Sequence, residues 1–564
     1  MAVANGGRSV TEPPRSPSGT GRDVLVVGAG PTGLALAAQV HAHGGRVRII
    51  ERRLGSRGSR AFVVHSRTLE VLAPLGVADA LVARGDPSVR VRVHAGGRVS
   101  SVGLVSSGVE DTAYPFLLAI PQARVEEVLE EHLRRVGVGV ERGVELLSFT
   151  QRDDAVKCVL RGPDGKREHA EVAYLAGCDG ADSTVRSIAG IPFPSRPYRP
   201  TLLLADLEAE GGLEPDAFHG FVGSPGILFL FPSPEVATWR LLTVGPDRSH
   251  CDGVAEVDQP PDLAALQAVT DRFTGGTLRL HDLVWATVVR LRRGQATRYR
   301  AGRVLLAGDA AHVHSPAGAQ GMNTGIQDAV NLGWKLALVA AGTAPESLLD
   351  SYQAERWQVA RCVRQLTDFA FVGEAADIPP LGVLREYAPP VLLPLLQRLT
   401  VPGWTFRLLA GLSINYRRSP VVEEGRPRLY RGPRAGDRLI DGRILAGGEL
   451  RWLHELLRPP GFHLLLCGNT TDFELNAAAY LQRSSAVPLH VHWLSREGRA
   501  GALGDPNGRT LAALGGTGTA VYLIRPDRYV AYRSRGPDLH GVTDYLLREF
   551  PSDHRAAPGT AAVG

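Results

Sequence analysis

Lysine is almost missing from this chain. Among 63 basic residues only Lys157, Lys166 and Lys335 are lysines, and arginine carries the net charge of +5. These arginines form no block interleaved with aromatics, which are only 6 % of the chain. Nucleic acid is therefore not an expected partner, and the basic excess reads as a surface bias with a few anion-binding pockets. Cysteine is scarce as well: Cys158, Cys178, Cys251, Cys362 and Cys467 lie far apart with no C-x-x-C pair. That spacing supports neither a zinc site nor a dithiol motif, and it predicts a reduced, cytoplasmic protein with no bound metal. Nothing approaches the roughly 18 uninterrupted apolar residues of a membrane span. Residues 1–21 have no apolar h-region and read as a disordered tail rather than a signal peptide.

What is present is an ordinary globular composition, 44 % apolar and 21 % charged, over 564 residues, enough for two or three domains. Asp23–Arg53, "DVLVVGAGPTGLALAAQVHAHGGRVRIIERR", reads as strand, glycine turn, helix, strand. Residues near 85–120 and 191–299 change to alternating patterns with Gly and Pro at the turns, which predicts an antiparallel sheet. A Pro/Arg/Gly-rich linker, "EEGRPRLYRGPRAGDR", then introduces a last segment in which strands alternate with helical pattern.

Gly28-Ala29-Gly30-Pro31-Thr32-Gly33 is a G-x-G-x-x-G motif placed directly after a strand and opening a helix. Gly28 allows the tight turn, Gly30 lets backbone approach a pyrophosphate, and Gly33 lets helix and strand pack closely. Glu51, followed by Arg52, ends the second strand 18 residues after Gly33, where its carboxylate can accept from both adenosine ribose hydroxyls. The motif alone does not separate NAD from FAD. Two further strand ends favour the flavin: Asp179-Gly180 in "LAGCDGADSTVR" and Gly308-Asp309 in "VLLAGDAAH". Strand ends of one parallel sheet converge on one crevice, and an Asp there can bond ribityl hydroxyls. After Asp309 comes the loop Ser315–Gly321, with a helix expected to begin near Met322-Asn323. Main-chain N–H groups and the helix dipole at that point would stabilise the negative charge of a reduced flavin. His312 and His314 share a face at alternate positions, but no third ligand lies near, so packing or hydrogen bonding is the expected role.

In this order the motifs resemble those of the FAD-dependent aromatic hydroxylases, the single-component flavoprotein monooxygenases, and more closely the bacterial aromatic polyketide hydroxylases. The likeness covers residues 22 to 400 and extends loosely beyond. It implies an α/β, para-hydroxybenzoate-hydroxylase-like fold. A Rossmann-like FAD domain (22–84, 118–190, 300–415) would be interleaved with a β-sheet substrate domain (85–117, 191–299), with a thioredoxin-like α/β domain at 430–564. It further implies Asp309 on the ribityl chain, and Gly321, Met322 and Asn323 along the pyrimidine edge. Pro316 and Gly318 would stiffen the wall beside the ring. Arg67 would face the pyrophosphate, and Gln122 the ribityl and phosphate region, with Arg124 close by.

The implied chemistry uses bound FAD, transient NADPH or NADH, and O₂, with oxygen passing from a flavin C4a-hydroperoxide to an electron-rich ring. The expected substrate is a polycyclic, polyketide-type phenol or quinone, in antibiotic or secondary-metabolite biosynthesis. No residue is marked as a general base, so no catalytic side chain is assigned. Phe221, Phe229, Phe231 and Trp239 are pocket walls or core. Baeyer–Villiger oxidation and antibiotic-inactivating hydroxylation remain open on the same scaffold, as does a non-catalytic flavin-binding role. The remaining expectations are a small-molecule partner, no membrane, and a monomer or homodimer.

Overall fold

The structure, a computed structural model, describes residues 24–55, 61–88, 90–103, 108–198, 201–223, 226–232, 237–244, 260–375, 403–498, 502–515 and 518–551. The tail reading of 1–21 and Cys251 lie outside them.

A six-stranded sheet runs in the order Arg300–Ala301, Val304–Leu306, Tyr174–Gly177, Val24–Val27, Val47–Glu51, Val140–Arg142. All its pairings are parallel except the first hairpin. Val24–Val27 sits between two parallel neighbours with all four residues buried, which is why it reads as a short continuous β-branched run. Helix Pro31–Ala42 crosses helix Gln320–Ala340 at close range, since a Cβ on Gly333 would stand 2.4 Å from Gln39 Cβ.

The seven-stranded sheet draws its strands from two stretches of chain, 90–103 and 202–289. It is antiparallel apart from the parallel pairing of Ala217–Gly223 with Arg90–Ala95. Strand Gly226–Pro232 shows how this sheet divides its faces. Leu228 and Leu230 enter a core with Leu266 of helix Leu263–Thr274, while Phe229 and Phe231 point to the other side. The four aromatics read as walls or core therefore split. Phe221 and Trp239 are buried in that core, whereas Phe231 stacks on Phe62 of the nucleotide-binding part.

An eight-stranded mixed sheet forms the C-terminal module and begins with Glu423–Glu424, ahead of the boundary expected at 430. Phe462–Cys467 is parallel to Leu489–Ser495 and antiparallel to Ala520–Ile524. Cys467 is buried, and burial pushes its thiol up to about 12, so this sulfur is held as an unreactive thiol.

Charge, rather than apolar surface alone, fastens this module to the rest. The fully buried Glu355 carboxylate, on helix Leu348–Ala375, accepts from Lys335 Nζ at 2.8 Å and from the Arg525 guanidinium at 2.5 and 2.8 Å. Asn331 Nδ2 and Ser419 Oγ each donate to it at 2.6 Å. Arg525 also clasps Asp527 at 2.6 and 3.0 Å. A second buried cluster places Arg438 on Glu70 at 2.5 and 2.8 Å and on Asp111 at 3.0 Å. Among the described residues no helix is long and apolar enough to cross a membrane.

Removing one member of such a cluster strands its partners, at a cost of about 3–5 kcal/mol. Glu355→Gln is expected to lower the unfolding free energy from urea titration by that order, whereas Ser419→Ala, which deletes one neutral donor, is expected to cost about 1 kcal/mol. Equal effects of the two substitutions in urea titrations would contradict this assignment.

Candidate cofactor cleft and active site

Five strand ends of the parallel sheet open onto one cleft of about 550 Å³. Gly28 follows Val24–Val27, Glu51 ends Val47–Glu51, Arg142 ends its strand, Asp179 lies just beyond Tyr174–Gly177, and Asp309 lies just beyond Val304–Leu306. Val288, Val289 and Arg290, from the end of strand Arg279–Val289 of the seven-stranded sheet, add a further wall. Carboxyl ends of parallel strands are where open α/β sheets bind nucleotides.

The glycine turn is shaped for an anionic ligand. Gly28 has φ +103°, and a Cβ there would stand 2.4 Å from the Cys178 carbonyl oxygen, so only glycine fits. A Cβ on Gly30, by contrast, would meet nothing within 4 Å, leaving the turn open on the cleft side. Gly33 packs the helix onto the turn, where a Cβ would fall 1.9 Å from the Gly28 carbonyl oxygen. Helix Pro31–Ala42 has no side-chain N-cap and no acidic residue in its first turn, so its N-terminus is available to a phosphate. The Glu51 carboxylate receives Ala29 N–H and Arg53 N–H, each at 3.0 Å, which fixes it at the rim beside Arg52. These features fit the adenosine diphosphate half of FAD.

Of the residues expected at the site, the cleft brings together Gly28, Gly30, Pro31, Glu51, Arg52, Gln122, Asp179 and Asp309. Asp309 is exposed. Gln122 donates to Glu126 at 2.8 Å. Asp179 spends its carboxylate on Ser183 Oγ at 2.5 Å and Val185 N at 3.0 Å, and burial pushes its carboxyl up from the ordinary value. Arg186, from the same motif, donates to the Ala310 carbonyl at 2.9 Å and so ties the two Asp-bearing loops together. Thr32 acts by packing, since its hydroxyl lies where Cβ atoms on Gly308 and Gly325 would come within 2.5 and 2.3 Å.

Two expectations need correction. Arg67 does not line the cleft: its guanidinium is buried between Glu70, at 2.9 Å, and the Asp527 carbonyl, at 2.8 Å, over the Tyr529 ring. The glutamate beside it and the C-terminal module claim its charge. Arg124 lines a separate cavity and pairs with Glu127 at 2.8 Å, because it leaves helix Gln122–Arg135 on a different side from Gln122.

The glycine loop is a short 3-10 turn, Ala317–Ala319, and the long helix starts at Gln320, slightly ahead of the expected position. Gly318 and Ala319 both take left-handed φ, 71° and 52°, and the helix has no side-chain N-cap. Pro316 is exposed, and open space surrounds Gly321 apart from His314 Cε1 at 4.0 Å. Met322 packs in the main core. Asn323 uses its whole side chain internally: Oδ1 accepts from His65 N and Thr68 Oγ1, and Nδ2 donates to Val63 and Ala319 carbonyls. Both residues can therefore offer a ligand only main-chain groups.

His312 donates its Nε2–H to Asp328 Oδ2 at 2.7 Å, and its ring stacks parallel to His314. His314 reaches the cleft wall, and burial holds it at about 4, hence neutral. Asp328 was not anticipated. Its buried carboxylate accepts Gly308 N–H at 3.0 Å and Arg356 Nε at 2.6 Å, pinning the strand end that presents Asp309. The sequence signal was a pair of charged residues, Asp328 and Lys335, inside a helix without other charges.

A nucleotide cleft at parallel strand ends, walled partly by an interleaved antiparallel sheet, defines a flavoprotein oxidoreductase scaffold. The family model described as "FAD binding domain" matches residues 22–367, and the chain belongs to that family. It is 35 % identical over 568 residues to 6-methylpretetramide 4-monooxygenase of Streptomyces rimosus, covering 97 % of each chain. Among solved structures it is similar to OxyS anhydrotetracycline hydroxylase from Streptomyces rimosus, with TM-score 0.73 and 31 % identity over 94 % of this chain and 99 % of that one. It is also similar to aklavinone-11 hydroxylase in ternary complex with FAD and aklavinone, with TM-score 0.77 and 26 % identity over 94 % and 98 %. The chain is an FAD-dependent aromatic monooxygenase.

Gly28→Ala is expected to yield apoprotein that takes up no FAD. Glu51→Gln is expected to weaken FAD binding by about tenfold or more, the scale of one charge-assisted hydrogen bond. Fluorescence titration of apoprotein with FAD checks both.

Proposed function

We propose that this protein hydroxylates a polycyclic, polyketide-type phenol or quinone, using NADPH or NADH and O₂, in the assembly of a secondary metabolite. The supporting observation is an intact FAD cleft in a chain that matches tetracycline-type monooxygenases over nearly its whole length. FAD, when bound, would supply the redox chemistry between the nicotinamide, O₂ and the ring. The chain's own part is positional. Gly28–Gly33 and the first turn of helix Pro31–Ala42 hold the phosphates, Glu51 holds the ribose, and Asp309 stands at the ribityl position. The uncapped start of helix Gln320–Ala340 would offer main-chain N–H groups to the pyrimidine edge, and its dipole would stabilise negative charge there. No second nucleotide fold binds the nicotinamide in this reading, which makes it a transient visitor. The C-terminal module, read as thioredoxin-like, serves a structural role.

Anaerobic titration with NADPH, followed by the visible spectrum, tests the reading. The flavin is expected to bleach at least tenfold faster with one member of a panel of polycyclic phenols and quinones than without ligand. A flavin that resists NADPH and NADH under every condition would remove the single-component oxygenase.

A further inference from the structure

Helix Ser66–Leu72 meets the start of helix Gln320–Ala340 through one polar contact. Thr68 Oγ1 donates to Asn323 Oδ1 at 2.8 Å and accepts from Gln327 Nε2 at 3.4 Å. Asn323 in turn holds the Ala319 carbonyl at 2.9 Å through Nδ2. Ala319 is a non-glycine residue at φ 52° and ψ 37°, a left-handed conformation that persists only where its surroundings impose it.

The same two helices are gripped a second time, by one residue of the C-terminal module. Asp527 lies in the turn between strands Ala520–Ile524 and Val530–Arg535. Its carbonyl accepts from Arg67 Nη2 at 2.8 Å, and its Oδ2 accepts from Asn331 Nδ2 at 3.1 Å. Arg67 immediately precedes Thr68 on the short helix, and Asn331 lies about two turns beyond Asn323 on the long one. Arg67, Asn331 and Asp527 are all buried. The turn itself has little freedom. Arg525 clasps the Asp527 carboxylate at 2.6 and 3.0 Å, and Leu439 N–H donates to the Arg528 carbonyl at 2.9 Å. The end of helix Gly403–Leu409 joins the same assembly: the Leu409 carbonyl accepts from Gln320 Nε2 at 3.1 Å, and the Ala410 carbonyl from Arg67 N–H at 3.2 Å.

We propose that the turn at Asp527 is a remote positioning element of the flavin site. By fixing helix Ser66–Leu72 against helix Gln320–Ala340, it preserves the Thr68–Asn323 contact and with it the left-handed turn at Ala319. This rests on the reading of loop 315–321 and the helix start as the contact with the flavin's pyrimidine edge, and it gives the C-terminal module a part in setting that contact. The lever is the group of main-chain N–H donors at the helix start. Their hold on negative charge weakens steeply with distance and angle, so a loop that relaxes from its left-handed turn favours reduced flavin less. Asp527 is a positioning residue, acting through Arg67 and Asn331.

Dye-equilibrated reduction of the full-length, FAD-loaded protein measures the midpoint potential of the flavin. Thr68→Val and Asp527→Asn, both close in shape to the wild type, are each expected to weaken binding of reduced relative to oxidised flavin about tenfold. For a two-electron couple that is a fall of about 30 mV. Tyr522→Phe removes a buried hydroxyl that donates to the Leu514 carbonyl at 2.6 Å in the C-terminal core. It is expected to lower stability in urea and to leave the potential unchanged. Gly318→Ala strains the loop itself, since Gly318 has φ 71° and a Cβ there would stand 3.3 Å from Leu409 Cδ1. It is expected to shift the potential or the FAD Kd whatever the module does. Wild-type potentials in Thr68→Val and Asp527→Asn beside a shifted Gly318→Ala overturn the module's part and keep the loop reading. Wild-type potential and FAD Kd in Gly318→Ala remove the loop reading itself. A shift in Tyr522→Phe equal to theirs reduces the effect to general stability and overturns the inference as well.

Discussion

The fully buried carboxylate of Glu355 accepts five hydrogen bonds, and much of the architecture is fixed by that requirement. Its donors come from helix Gln320–Ala340, from the segment at Ser419, and from the turn at Arg525 in the C-terminal sheet. A buried carboxylate cannot stay ionised without such partners, so these pieces must meet in one arrangement. Arg356, the next residue, turns to Asp328, whose carboxylate also holds Gly308 N–H. The C-terminal module is thereby linked, through two adjacent residues on one helix, to the strand end that presents Asp309. Lys335, one of only three lysines, is spent inside this cluster, where burial lowers it to about 8.

The cofactor half of the site was legible because its determinants are local. Gly28, Gly33 and Glu51 act within one strand–turn–helix–strand unit, and their spacing alone states the geometry. The strand ends bearing Asp179 and Asp309 were legible for the same reason, since an apolar run followed by Gly-Asp or Asp-Gly marks a strand end in any context. The two corrected residues show where such reading stops. Arg67 sits at a helix start as expected, yet its partner Asp527 is 460 positions away, and nothing near residue 67 announces it. Arg124 differs from Gln122 only by direction around a helix, and that direction decides which of two cavities it reaches.

The substrate side was the least legible part. Period-2 alternation identified a sheet, but not which of its faces turned toward the flavin part. The pairing of Phe231 with Phe62 settles that, and it leaves Phe221 and Trp239 as core. Asp328 was hidden by the same cause as Arg67. A polar residue in an apolar helix signals a buried partner, but the partners, Gly308, His312 and Arg356, are fixed only once the chain has folded.

Across these levels the chain divides its labour. Glycines and strand-end carboxylates shape the cleft, buried ion pairs hold its walls in register, and the redox chemistry is left to FAD. The central claim is that one atom of O₂ enters an aromatic product. Turnover under ¹⁸O₂ with the polycyclic ligand that most accelerates flavin reduction, followed by mass spectrometry of the product, tests it most directly. A product heavier by one ¹⁸O atom is predicted; NADPH consumption that yields only labelled hydrogen peroxide with every ligand would contradict the account.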